Sequence, residues 1–185
     1  MSLYPSRLAQ WALVSLLLVS WLAADMRPVR AQASQDRVSL AQFKVGELSL
    51  RGRVDATTIY FYLPADWELL DSTELHLYLA AFMYDASNVA AAVRATAVVE
   101  AVLNDVTLGS TLLTESGEHA LNLVIPPAAW AAVGEDNRHA LALKLTTTER
   151  CGVELVSIVV HPSSFFLLPH RSMAPATDLR QLPYP

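Results

Sequence analysis

One cysteine, Cys151, is the only thiol in this 185-residue chain. No disulfide can form within the chain, so a fold kept outside the reducing cytoplasm must rest on its own core. The thiol is either a small buried hydrophobe or a reactive group able to bridge two chains. Glycines are also few. Gly46, Gly52, Gly109, Gly117, Gly134 and Gly152 stand apart, each most simply a turn residue, and none begins a G-x-G-x-x-G phosphate loop. Ser163 and Ser164 lie near His161 but in no G-x-S-x-G elbow. The five histidines, at 76, 119, 139, 161 and 170, form no H-x-H or H-x-x-x-H pair, the local spacing that zinc sites favour. Each reads as an outward-facing strand or loop residue. Asp66, Glu68, Asp71 and Glu74 cluster in sequence. A glycosidase needs two carboxyl groups about 5–5.5 Å or roughly 6.5–9.5 Å apart across a sugar, which proximity in a turn does not provide. Loop oxygens at Glu135, Asp136 and Asn137 could hold a structural calcium, but no motif marks them. The expectation is a chain with no catalytic residues, no metal and no cofactor.

Long apolar runs are lacking as well, with one exception at the N-terminus. Arg7 precedes an apolar stretch from Trp11 to Ala24, 14 residues broken only by serine. A spanning helix needs roughly 20. Ala31-Gln32-Ala33 follows, a small-x-small pattern, so residues 1–33 read as a secretory signal peptide. The alternative is an uncleaved anchor, since Asp25, Arg27 and Arg30 make the segment before the cleavage site long and charged. Removing the leader takes away three arginines and one aspartate, which leaves a net charge of about −7. So acidic a chain, without a basic stripe, repels phosphate backbones, which argues against nucleic acid as a partner.

What the remaining residues do have is short-period alternation. Leu48 and Leu50 alternate with polar residues, and Thr57 to Leu63 is dense in β-branched and aromatic side chains. Leu75, Leu77 and Leu79 share one face of a strand, as do Leu121, Leu123 and Ile125, and Leu141, Leu143 and Leu145. Asn104-Asp105 separates the runs Thr96–Leu103 and Val106–Leu113, the signature of a tight hairpin. Val153 to Val160 is almost wholly apolar and reads as a central strand covered on both faces, and Phe165 to Leu168 is a last short strand. Helical spacing is confined to Ser87–Arg94 and to Pro127–Val133, where Pro127 suits a first helical turn. The fold class expected is all-β: an antiparallel β-sandwich or jelly roll of about nine strands with one or two helical turns. The divisions are a leader at 1–33, a polar lead-in at 34–44, the sandwich at 45–168, and a Pro-rich exit linker at 169–185.

Several stretches then stand in a distinctive order. Leu48-Ser49-Leu50-Arg51-Gly52 leads to Tyr60-Phe61-Tyr62-Leu63-Pro64-Ala65-Asp66-Trp67, then to Leu75-His76-Leu77-Tyr78-Leu79. Val102-Leu103-Asn104-Asp105, Ile125-Pro126-Pro127, Asp136-Asn137-Arg138-His139, Cys151 and Thr177-Asp178-Leu179-Arg180-Gln181-Leu182-Pro183-Tyr184-Pro185 follow. Over residues 43–185 this order resembles the first carbohydrate-binding-type domain of the periplasmic B subunit of bacterial cellulose synthase. That family opens its jelly roll with F-x-L-P-x-D-W, and Asp105 stands here where its hairpin has glycine. The family continues to a C-terminal membrane helix, whereas this sequence ends at Pro185.

The resemblance implies a non-catalytic periplasmic module, with the cellulose synthase catalytic subunit and β-1,4-glucan as partners. It implies a location outside the cytoplasmic membrane. Cyclic di-GMP is not an expected ligand, because no arginine cluster is present to grip it. Aromatic rings are the candidates for glycan contact: Trp130, Tyr84 and Trp67, although Trp67 reads more as a core plug. The rival reading is an exported adhesion or assembly sandwich unrelated to cellulose.

Overall fold

The computed structural model describes residues 33–85, 95–134, 136–150 and 153–173. The expected helical stretch at Ser87–Arg94, the leader up to residue 32, Glu135, Cys151 and the segment from 174 onward lie outside them.

The chain is a two-sheet, antiparallel β-sandwich. Its elements are β1 (Ala33–Ser39), a 3-10 turn (Leu40–Phe43), β2 (Leu48–Arg51), β3 (Val54–Phe61), β4 (Trp67–Leu69) and β5 (Thr73–Asp85). Then come β6 (Ala97–Leu103), β7 (Val106–Leu113), β8 (Gly117–Ile125), helix α1 (Pro127–Ala131), β9 (His139–Thr147), β10 (Glu154–Val160) and β11 (Phe165–Ser172). The smaller sheet runs β3-β9-β6-β7. The larger is built around β5. On one edge β5 pairs with β8, and on the other with β10 and β11 placed end to end, β10 along Leu79–Asp85 and β11 along Glu74–His76. β2 pairs with β10, while β1 and β4 pair with β11.

Alternation drives the packing. On β5, Leu75, Leu77, Leu79, Ala81 and Met83 are buried, and on β9 so are Leu141, Leu143 and Leu145. Ala97, Val99, Ala101 and Leu103 of β6 and Val156, Ile158 and Val160 of β10 fill the space between. Burial of a leucine side chain stabilises by about 1.5–3 kcal/mol, and these positions recur every second residue, so the pleat itself assembles one continuous core. The β6–β7 hairpin turns on Asn104 (φ 48°) and Asp105 (φ 65°), both left-handed as a two-residue hairpin requires.

Four expectations need correction. Eleven strands are present among the described residues, not about nine. The polar lead-in, 34–44, is the strand β1 and the 3-10 turn. β1 has exposed side chains along most of its length and is held by backbone pairing to β11, so it carries no apolar period to read. β11 does not stop at Leu168 but continues through Pro169 to Ser172. The Pro169 carbonyl still accepts from Leu70 N–H at 2.8 Å. Finally, β10 is covered on one face only. Leu155 is 57% exposed while Val156, Ile158 and Val160 are buried.

Candidate functional site

The turn that follows β3 shapes one end of the sandwich. Phe61 is buried at the end of β3, and Leu63-Pro64-Ala65-Asp66 folds back with the Trp67 N–H donating to the Pro64 carbonyl at 3.1 Å. Opposite this turn sits α1. Pro127 occupies the first turn, where its missing N–H costs nothing. Five residues cannot hold a helix by themselves, and α1 is docked at two points. Trp130 Nε1–H donates to Thr73 Oγ1 at 2.8 Å, and Asn104 Nδ2–H donates to the Ala129 carbonyl at 2.8 Å.

Between turn and helix lies a cleft of about 770 Å³, bordered by Tyr62, Trp67, Asp71, Trp130, Asn137 and His139 among others. That volume lies in the range of small-molecule sites, roughly 300–1,000 Å³. Aromatic rings stand among largely aliphatic walls. Tyr62 is exposed. Trp67 gives one ring face to His170, with centroids 3.7 Å apart and planes 12° apart. Trp130 meets His139 edge-on at 5.2 Å, and His139 in turn stacks on Phe61 at 5.3 Å. Both tryptophans also pack against the hydrophobic core, so bordering the cleft and plugging the core are not exclusive roles.

His139 is the polar group at the inner wall, and its protonation state follows from its neighbours. Asn104 Oδ1 accepts from Ala140 N–H at 2.8 Å, which fixes the amide orientation and points Nδ2 at both the Ala129 carbonyl and His139 Nδ1 (3.0 Å). An amide NH2 can only donate, so His139 Nδ1 must accept. The proton of the neutral ring therefore sits on Nε2. Burial pushes the His139 pKa below its ordinary 6.5, and the donor facing Nδ1 acts in the same direction.

The other sequence-level candidates fall elsewhere. Trp67 and Trp130 come together at the cleft, but Tyr84 does not join them. Tyr84 and Phe82 lie within β5 on the outward face of the larger sheet, their rings nearly parallel (16°) at 6.4 Å. With Leu155 and Arg51 they line a separate shallow groove. The expectation of outward histidines holds for His161 and fails for His139 and His170, which are buried. His170 Nδ1–H donates to the Leu168 carbonyl at 3.1 Å, and its Nε2 meets Ser34 Oγ at 2.9 Å. His161 Nδ1 accepts from Ser163 N–H at 3.2 Å and lies 2.6 Å from Ser163 Oγ on an exposed turn. Asp136 pairs with Arg138 at 3.3 Å, and among the described residues no three His, Cys, Asp or Glu side chains could hold one metal ion. No sequence motif marks His139, which borders the cleft, or Asn104, which orients its ring. One signal was available: His139 has the same parity as Leu141, Leu143 and Leu145 and so shares their inward face.

No protein-family model matches the chain, and no curated protein does. Among solved structures it is similar to the CBM36-1 domain of a multidomain xylanase from the hindgut metagenome of Trinervitermes trinervoides. Identity is 10%, the TM-score 0.37, and the overlap covers 73% of this chain and 96% of that one. It is also similar to the carbohydrate-binding module CBM36 in complex with calcium and xylotriose, at 18% identity, TM-score 0.36, and 72% and 98% coverage. A third similarity is to the insecticidal delta-endotoxin Cry8Ea1 from Bacillus thuringiensis, at 6% identity, TM-score 0.38, and 74% and 24% coverage. Scores this low carry no ligand and no activity onto the chain.

Proposed function

We propose that this chain is a non-catalytic, exported module of a cellulose-synthesising assembly that scaffolds the complex and contacts β-1,4-glucan through the cleft between the β3–β4 turn and α1. The observation that carries the reading is the convergence of Trp67 and Trp130, distant in sequence, on one cleft with Tyr62. Flat rings suit the apolar faces of pyranose sugars, and aromatic contact area is the main currency of such sites. The turn that positions Trp67 is one of the ordered stretches that together carry the resemblance to the cellulose synthase B subunit. The leader at 1–33 supports export, and the acidic charge supports an uncharged polymer over a polyanion.

The test uses the two tryptophans that follow the leader. In protein beginning at Ser34 both lie at the cleft, so intrinsic fluorescence reports on it directly. Cello-oligosaccharides should give a saturable shift that Trp130→Ala abolishes. Absence of any shift at millimolar sugar removes direct glycan contact and leaves only scaffolding. Copurification with the synthase catalytic subunit tests that remaining part.

A second reading, an exported adhesion or assembly sandwich unrelated to glucan, is favoured by the outward Phe82, Tyr84 and Leu155, which are 38%, 57% and 57% exposed. Exposed apolar clusters of this kind suit protein partners. Binding of a protein partner through that face, with no sugar response at the cleft, would favour it.

A further inference from the structure

Resting on that reading of the cleft, we propose that His139 is its specificity-determining donor: the ligand is an uncharged polyhydroxylated ring, one oxygen of which accepts a hydrogen bond from His139 Nε2–H.

Three observations combine. His139 is 9% exposed, and its Nδ1 is already committed to Asn104. Nε2 has no hydrogen-bond partner among the described residues, yet no fully buried side-chain nitrogen or oxygen there lacks one. Nε2 therefore opens onto the cleft that His139 borders. Such a donor meets water while the cleft is empty, and a ligand that covers it without offering an acceptor strands it at a cost in affinity. Second, the ring is locked. Asn104 holds one tautomer by pointing a donor at Nδ1 and receives its own orientation from Ala140 N–H. The donor is thus preorganised, and a ligand does not have to select between tautomers.

Third, the charges around the cleft select against anions. Asp71 borders it, and among the described residues neither lysine nor arginine does. A neutral imidazole N–H offers a hydrogen bond but no positive charge. A uronate or phosphate would face Asp71 uncompensated, at a cost in affinity that a hydroxyl or ring oxygen does not incur. The flat walls at Trp130 and Tyr62 accept the apolar face of the same ring. Donor, walls and charge therefore point to one ligand class, neutral hexose units, and reject acidic sugars.

The experiment compares cellopentaose with an oligouronate of the same length on the protein beginning at Ser34. The variant is His139→Phe, which keeps a flat ring against Phe61 and removes the donor. Wild type should bind cellopentaose and bind the oligouronate at least tenfold more weakly. His139→Phe should lose about tenfold in affinity for cellopentaose, the scale of one buried hydrogen bond. In wild type the imidazole 15N resonances should show a protonated Nε2 and a bare Nδ1, with Nε2–H shifting on sugar addition. This readout also decides the matter if the variant fails to fold. Cellopentaose binding that leaves His139→Phe unaffected, or an Nε2–H that does not move, overturns the role of His139 while leaving glycan contact intact. Equal or tighter binding of the oligouronate overturns the neutral-ligand assignment. No binding of either sugar overturns the cleft reading itself, and this inference with it.

Discussion

Protonating His139 in the folded chain means placing a second N–H against the amide of Asn104. The groups packed on the ring, Asn104, Phe61 and Trp130, offer no negative charge in compensation. The folded-state pKa is lowered, so between that value and about 6.5 the unfolded chain binds the extra proton and the folded one does not. Stability is therefore fully present above pH 6.5 and falls as the pH drops below it. Urea denaturation at pH 5 and pH 7.5 should show this difference, and His139→Phe should shrink it. Asn104 carries the larger energetic weight. Asn104→Ala removes two donated hydrogen bonds and one accepted one, and leaves the Ala129 carbonyl without that donor. The expected cost is about 2–4 kcal/mol, read as a shift in denaturation midpoint without a change in slope. Asn104→Asp would set a carboxylate oxygen against the Ala129 carbonyl as well as opposite Nδ1, so it should also destabilise, but it would draw a second proton onto the ring and reverse the pH trend. At this scale the sequence is only partly legible. Asn104 announces itself as a hairpin residue, but its amide also serves α1 and β9, and no local pattern encodes a contact 25 or 35 residues away.

Strands that bury a face write themselves into the sequence every second residue, which is why β2, β3 and β5 through β9 can be read directly from their leucines, valines and alanines. β1 and β4 cannot. β1 buries almost nothing, and β4 has three residues, too few for any period to register. The apolar run at β10 misleads for a different reason: Leu155 and Val153 are exposed, so the run overstates how much of that strand is covered. Links between elements have their own requirements. Gly52 sits at φ +80° between β2 and β3, where the chain crosses from one sheet to the other, and its carbonyl accepts from Thr147 Oγ1. Space is open enough there, with the nearest atom to an added Cβ at 3.7 Å, so the penalty for Gly52→Ala is conformational and should be about 1–2 kcal/mol. Thermal unfolding of the variant measures it. A neutral result would mean that the crossing relaxes to another backbone conformation.

For the molecule as a whole, β1 closes the exposed edge of β11 through seven paired residues, from Ala33↔Arg171 to Ser39↔Phe165. The Arg37 guanidinium lies 3.7 Å over the Phe165 ring and fastens the pair. Protein beginning at Ser34 keeps nearly all of this strand. Protein beginning at Leu40 loses it and bares an edge able to pair with another chain. Size-exclusion chromatography should find the first monodisperse and the second prone to self-association. Monodisperse behaviour of the shorter protein would show that β1 is dispensable. The same pairing has a consequence in time. β1 precedes its partner β11 in the chain, with the other described strands between them, so it emerges first. Until β11 follows, the first strand waits without a template, and the larger sheet cannot finish its edge until the last strand arrives. Closure of the sandwich is therefore a late event, set by the appearance of Phe165 to Ser172 rather than by the folding of what precedes them.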